Sequence, residues 1–94
     1  MATERTAKQS KSEIRTYYCD FSPDLATGVT VSGATATHIP PSGSALTPTV
    51  VVSIPYVNVT LGQLTVTGTH ILSIVATLSS GDKSEIRLSI QCDY

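Results

Sequence analysis

The chain has 94 residues and a net charge of −1, with 14% charged and 5% aromatic side chains. That length makes one small domain with a modest core. Plentiful Thr, Ser and Val with little charge exclude a disordered chain and point to an antiparallel β protein.

No run reaches the ~18 apolar residues of a membrane span, and the polar N-terminus lacks an apolar signal-peptide segment. A soluble protein made and kept in a cytoplasm is therefore expected. Residues 1–15 hold Arg5, Lys8, Lys11 and Arg15 against Glu4 and Glu13, whereas the remainder is net acidic. So small an excess does not make a nucleic-acid tail. Residues 1–12 lack strand alternation and a helical stripe, and read as an extended arm. The arm is either solvated or ordered on a neighbouring subunit.

The domain proper is expected over 13–94. The stretch from Glu13 to Phe21 alternates and is rich in β formers, which makes a first strand. Ser22-Pro23-Asp24 breaks it, since proline lacks an amide donor and Asp closes a turn. A second strand covers Val29–Thr37, where Gly33 marks a bulge that turns Ala34 and Ala36 inward. His38 to Ser44, with two prolines and a glycine, is a loop. A third strand follows over Thr47–Ile54, with Val50, Val52 and Ile54 inward, and Pro55 ends it. Val57–Leu61 is ambiguous and is assigned as a short edge segment, and Gln63–Thr67 reads as a fourth strand.

The strongest pattern is the closing hairpin, Thr69–Cys92. Ile86, Leu88, Ile90 and Cys92 share one face of its second arm, while Arg87, Ser89 and Gln91 share the other. The first arm is apolar on both parities, as a covered central strand would be. Gly81 supplies the turn between them. Six to seven short strands without a helix argue for a two-sheet β-sandwich, with a small barrel as the alternative. Lys11-Ser12-Glu13-Ile14-Arg15 recurs as Lys83-Ser84-Glu85-Ile86-Arg87, which suggests that the first and last strands lie side by side and bring Cys19 near Cys92.

Catalytic signals are sparse. His38 and His70 show no metal-ligand spacing to Cys or acidic residues. No phosphate loop, nucleophile elbow or HExxH occurs, and Cys19 has no evident base. A non-enzymatic protein without cofactor or metal is expected. Cys19 and Cys92 read first as two buried thiols, second as a mutual disulfide, and third as intermolecular cross-links. Tyr17, Tyr18, Tyr56 and Tyr94 are candidate interface anchors, because tyrosine joins apolar area to a hydroxyl. Only one of the adjacent Tyr17 and Tyr18 can face the core.

The run Tyr18-Cys19-Asp20-Phe21-Ser22, followed by Asp24-Leu25-Ala26-Thr27-Gly28-Val29-Thr30 and Val31-Ser32-Gly33-Ala34, resembles the opening of small tailed-bacteriophage virion proteins. The close, from Gly68 to Asp82, resembles the last hairpin of the same family. Cys19 and the absence of tryptophan depart from its pattern. The resemblance covers about residues 13–92 and implies an immunoglobulin-like sandwich without catalytic residues. Many members are called fiber-tail adaptor proteins.

The expected function is thus a bacteriophage virion structural protein, an adaptor in the neck or tail that holds fibers through protein–protein contacts. It would be assembled in the host cytoplasm in multiple symmetric copies, and would contact neither nucleic acid nor membrane. A capsid decoration protein is the second expectation, and a carbohydrate- or receptor-binding module the third. The candidate partner-binding residues are Arg5, Lys8, Lys11, Arg15, Tyr18, His38, Tyr56 and Tyr94.

Overall fold

A computed structural model describes residues 2–94. Seven strands form two sheets packed face to face. They are β1 (Ala2–Lys8), β2 (Arg15–Asp20), β3 (Val31–Ile39), β4 (Thr49–Ser53), β5 (Tyr56–Leu61), β6 (Gly68–Leu78) and β7 (Lys83–Cys92). One sheet has the order β1-β7-β6-β3 and the other β2-β5-β4. Strands two, five and four against three, six and seven is the division of an immunoglobulin-like sandwich. The fold is therefore the expected one.

The β6–β7 hairpin is its frame. The ten residue pairs from Gly68↔Cys92 to Thr77↔Lys83 run without a shift. Ile86, Leu88, Ile90 and Cys92 are all buried, as are Leu72, Ile74, Ala76 and Leu78. Burying each large aliphatic side chain contributes about 1.5–3 kcal/mol. The turn closes through Gly81, at φ +93°, whose N–H donates to the Leu78 carbonyl at 2.9 Å. On the facing sheet Val57, Val59 and Leu61 of β5, with Cys19 and Phe21, supply the other half of the core. The register of β3 on β6 shifts between Val31 and Gly33, which is the expected bulge.

Five sequence readings need correction. Residues 2–8 of the expected arm form β1, which pairs in parallel with β7 from Ala2↔Glu85 to Lys8↔Gln91. Val57–Leu61 is the centre of its sheet, because both β2 and β4 pair with it. Gln63–Thr67 forms no strand. Leu64 alone anchors it in the core, and the Val66 carbonyl is taken by a histidine ring. Val52 and Ile54 are 38% and 57% exposed, because β4 is the edge of its sheet and these side chains lie at its margin. Finally, β2 and β7 lie in different sheets, so the two Lys-Ser-Glu-Ile-Arg copies are not neighbours.

That last point bears on the cysteines. Cys19 and Cys92 are both buried free thiols rather than a disulfide. Gln9, next to the Gln91 level of β7, reaches the Leu61 carbonyl, and Leu61 pairs with Arg15. Cys19 lies four residues further along β2, roughly 13 Å at ~3.3 Å per residue. A disulfide needs its Cα atoms within about 7 Å.

Candidate functional site

The outer face of the three-stranded sheet carries the exposed aromatic side chains. Alternation sends Tyr17 and Cys19 of β2 inward and Thr16, Tyr18 and Asp20 outward. The cross-strand register aligns Tyr18 with Asn58 and Val51, and Asp20 with Tyr56 and Ser53. Tyr18 and Tyr56 are therefore diagonal neighbours, 67% and 44% exposed, flanking a shallow hollow completed by Ser53 and Asn58. The Asn58 Oδ1 atom beneath them is buried without a hydrogen-bond partner. Asp20 is the only charged group on these two rows. Its carboxylate accepts the Ser22 N–H at 2.9 Å, and this bond first of all holds its pKa below the usual carboxylate value.

A second hollow lies where β1 leads into β2, lined by Lys8, Gln9, Arg15 and Tyr94 with Glu13 and Asp93. Its two bases are offset by two carboxylates, so it has no strong sign. Arg15 donates to Glu13 at 2.8 Å, and the Ser10 N–H also donates to Glu13 at 2.8 Å. The Ser10 bond first, and then Arg15, lower the Glu13 pKa. Lys11 is exposed beside this hollow, and its N–H donates to the Tyr94 carbonyl at 2.7 Å. Arg5 stands apart on β1, lining a third hollow with Arg87 and Ile71.

Of the candidate partner-binding residues, the fold thus gathers Tyr18 with Tyr56, and Lys8 with Arg15 and Tyr94. His38 is a correction. It is 3% exposed, so it cannot meet a partner at the surface. Its ring lies edge to edge with that of His70, which is fully buried. The planes are 9° apart and Nε2 of His38 lies 2.9 Å from Nδ1 of His70.

Asn58, Val51 and Val52 were missed as surface features. The sequence does carry one signal for them: between Asp24 and Asp82 no Asp, Glu, Lys or Arg occurs. Strands β3 to β6 all fall in that interval, so the sandwich has a charged side built on β1, β2 and β7 and an uncharged side ending at β4. Exposed Ile39, Val51, Val52, Ile54 and Tyr56 all lie on the uncharged side. Among the described residues no group of three or more His, Cys, Asp and Glu side chains converges as a metal site would require. No known family model matches the chain, and no curated protein matches it closely enough to count as a relative.

Proposed function

We propose that this chain is a non-enzymatic structural protein of a tailed-bacteriophage virion, an adaptor that links fibers to the tail or neck by protein–protein contact. The resemblance of residues 13–92 supplies the virion setting. The observation that carries the docking role is the Tyr18–Tyr56 face. Two exposed tyrosines flank an unpartnered amide oxygen on a rigid sheet with one charge nearby. Aromatic anchors with a hydroxyl dominate protein interfaces, and a rigid β scaffold loses little entropy on docking. A partner N–H could also satisfy Asn58 Oδ1, once the tyrosines rearrange around it.

The test is incorporation into particles, measured by quantitative mass spectrometry against the major capsid protein. Roughly one or two dozen copies of wild type, matching closed rings about a tail axis, support the adaptor. Hundreds of copies mean capsid decoration, and absence from particles removes the virion reading. The double variant Tyr18→Ala, Tyr56→Ala should fold normally and be lost from particles. Its normal incorporation would rule out this face as the docking surface.

A further inference from the structure

We propose that the free edge of β4 pairs with β4 of a second copy of this chain, joining two three-stranded sheets into one of six across a two-fold axis at Val51. The two sheets have four edges in all, on β1, β3, β2 and β4. Exposed edges are templates for further strand pairing, and proteins ordinarily blunt them with charge, proline, bulges or cover. On β1 the exposed Arg5 and Lys8 do this, and on β2 Arg15 and Asp20. On β3 the bulge at Gly33 interrupts the ladder. None of these devices occurs in β4.

Thr49–Ser53 has no charge, no proline and no register shift against β5. In an antiparallel ladder alternate residues of an edge strand turn their N–H and C=O groups outward. Among the described residues, no other segment hydrogen-bonds to this edge. Its valines are unusually open, with Val51 56% and Val52 38% exposed. Unpaired backbone groups flanked by bare valines call for another strand.

The sequence of the strand identifies that partner. Thr49-Val50-Val51-Val52-Ser53 is chemically symmetric about Val51. Antiparallel pairing about a two-fold axis there sets Val51 opposite its own copy, Val50 opposite Val52, and Thr49 opposite Ser53. Every pair is valine on valine or hydroxyl on hydroxyl, the classes that stabilise cross-strand contacts. Such an interface is isologous, as closed dimers require. The outer rows then run on from Tyr18, Asn58 and Val51 of one copy into Val51, Asn58 and Tyr18 of the other, an uncharged face twice as wide. The pairing does not depend on a virion setting.

The experiment is sedimentation equilibrium of the full chain from about 1 to 500 µM, a range suited to a small interface. It is paired with oxidative cross-linking of Val51→Cys. The expected result is a monomer–dimer equilibrium that Val51→Lys weakens at least tenfold, because it opposes two like charges at the axis. Val51 is exposed, so this variant should melt like wild type. Either register of facing residues puts Cα atoms about 4.5–5.5 Å apart, within disulfide reach. Val51→Cys should therefore form a covalent dimer, whereas Tyr18→Cys, away from the axis, should not. A wild-type chain that stays monomeric throughout would overturn the proposal. So would a dimer insensitive to Val51→Lys, or equal cross-linking of the two cysteine variants.

Discussion

Nε2 of His38 donates to Nδ1 of His70 across 2.9 Å, and the neighbouring bonds fix which nitrogens hold the protons. Leu46 N–H can only donate, so His38 Nδ1, 2.8 Å away, is bare. The Val66 carbonyl can only accept, so His70 Nε2, also 2.8 Å away, carries hydrogen. Two neutral rings satisfy the chain from end to end. A further proton would need one of the two occupied lone pairs. The pair ties the loop after β3 to the segment before β6.

Stability should therefore fall in mild acid. Burial, and then the neighbouring His70, hold the His38 pKa below its ordinary 6.5. Below pH 6.5 the unfolded chain takes up a proton that the folded chain resists, so stability is full above that pH and declines beneath it. No Asp, Glu, Lys or Arg lies on β3 to β6 to compensate, and the β7 residue paired with His70 is Ile90. The lowered Glu13 and Asp20 carboxylates act below their ordinary 4.5 and 3.8, a separate window. Melting temperature should be level from pH 8 to 7 and drop by pH 5, with His38→Gln removing most of that slope. A flat profile in wild type would contradict the relay.

Gln9 is the clasp between the two sheets. Fully enclosed, its Nε2 lies 2.9, 3.0 and 3.3 Å from the carbonyls of Glu13, Gly62 and Leu61. Its Oε1 accepts the Tyr17 hydroxyl at 2.8 Å. Gln9→Ala strips partners from several enclosed groups at once and should cost about 2–4 kcal/mol in urea unfolding. Tyr17→Phe removes only one bond and should cost nearer 1 kcal/mol. Equal costs would show that the amide is not the shared hub.

These features differ in how far the sequence betrays them. The β6–β7 hairpin was legible because its alternation is long and both faces agree. The bulge was legible because Gly33 interrupts a run of β formers. Alternation tells which residues share a side, but not whether anything covers that side, so Val52 and Ile54 were assigned inward. Strand β1 has no pattern to read, since backbone pairing with β7 needs none. A lone histidine reads as a surface residue. Only the register, which pairs His38 with Leu72, sets it diagonal to His70. The uncharged interval from Asp24 to Asp82 was in plain view, but it acquires meaning only when the fold gathers those strands on one side.

Two glycines should respond oppositely to alanine. Gly68 opens β6 at φ +119°, and a Cβ there would lie 3.1 Å from Pro41 Cγ. Gly68→Ala meets both an unfavourable backbone region and the proline loop, and should cost about 1–3 kcal/mol. Gly33 has an ordinary φ and open space around its missing Cβ. Gly33→Ala should be neutral or stabilising by up to about 1 kcal/mol, since it restrains the unfolded chain. Thermal melts of the two variants side by side decide the matter.

Thiol chemistry should report the separation of Cys19 and Cys92. Both are 1% exposed, and burial raises the Cys19 pKa, against a smaller opposing pull from the Arg5 charge. A thiol needs access and its thiolate form to react, and Cys19 is denied both in the folded chain. A disulfide reagent such as Ellman's should label neither cysteine quickly in buffer and both at once in guanidinium. Mild oxidation of the folded protein should leave its mass two hydrogen atoms above that of the intramolecular disulfide. Loss of those two hydrogen atoms to the oxidant, with fragments linked through Cys19 and Cys92, would mean that the sheets part far enough to join them. Cys19→Ala should then destabilise the reduced protein by about 1–2 kcal/mol through lost packing alone, because no covalent bond is broken.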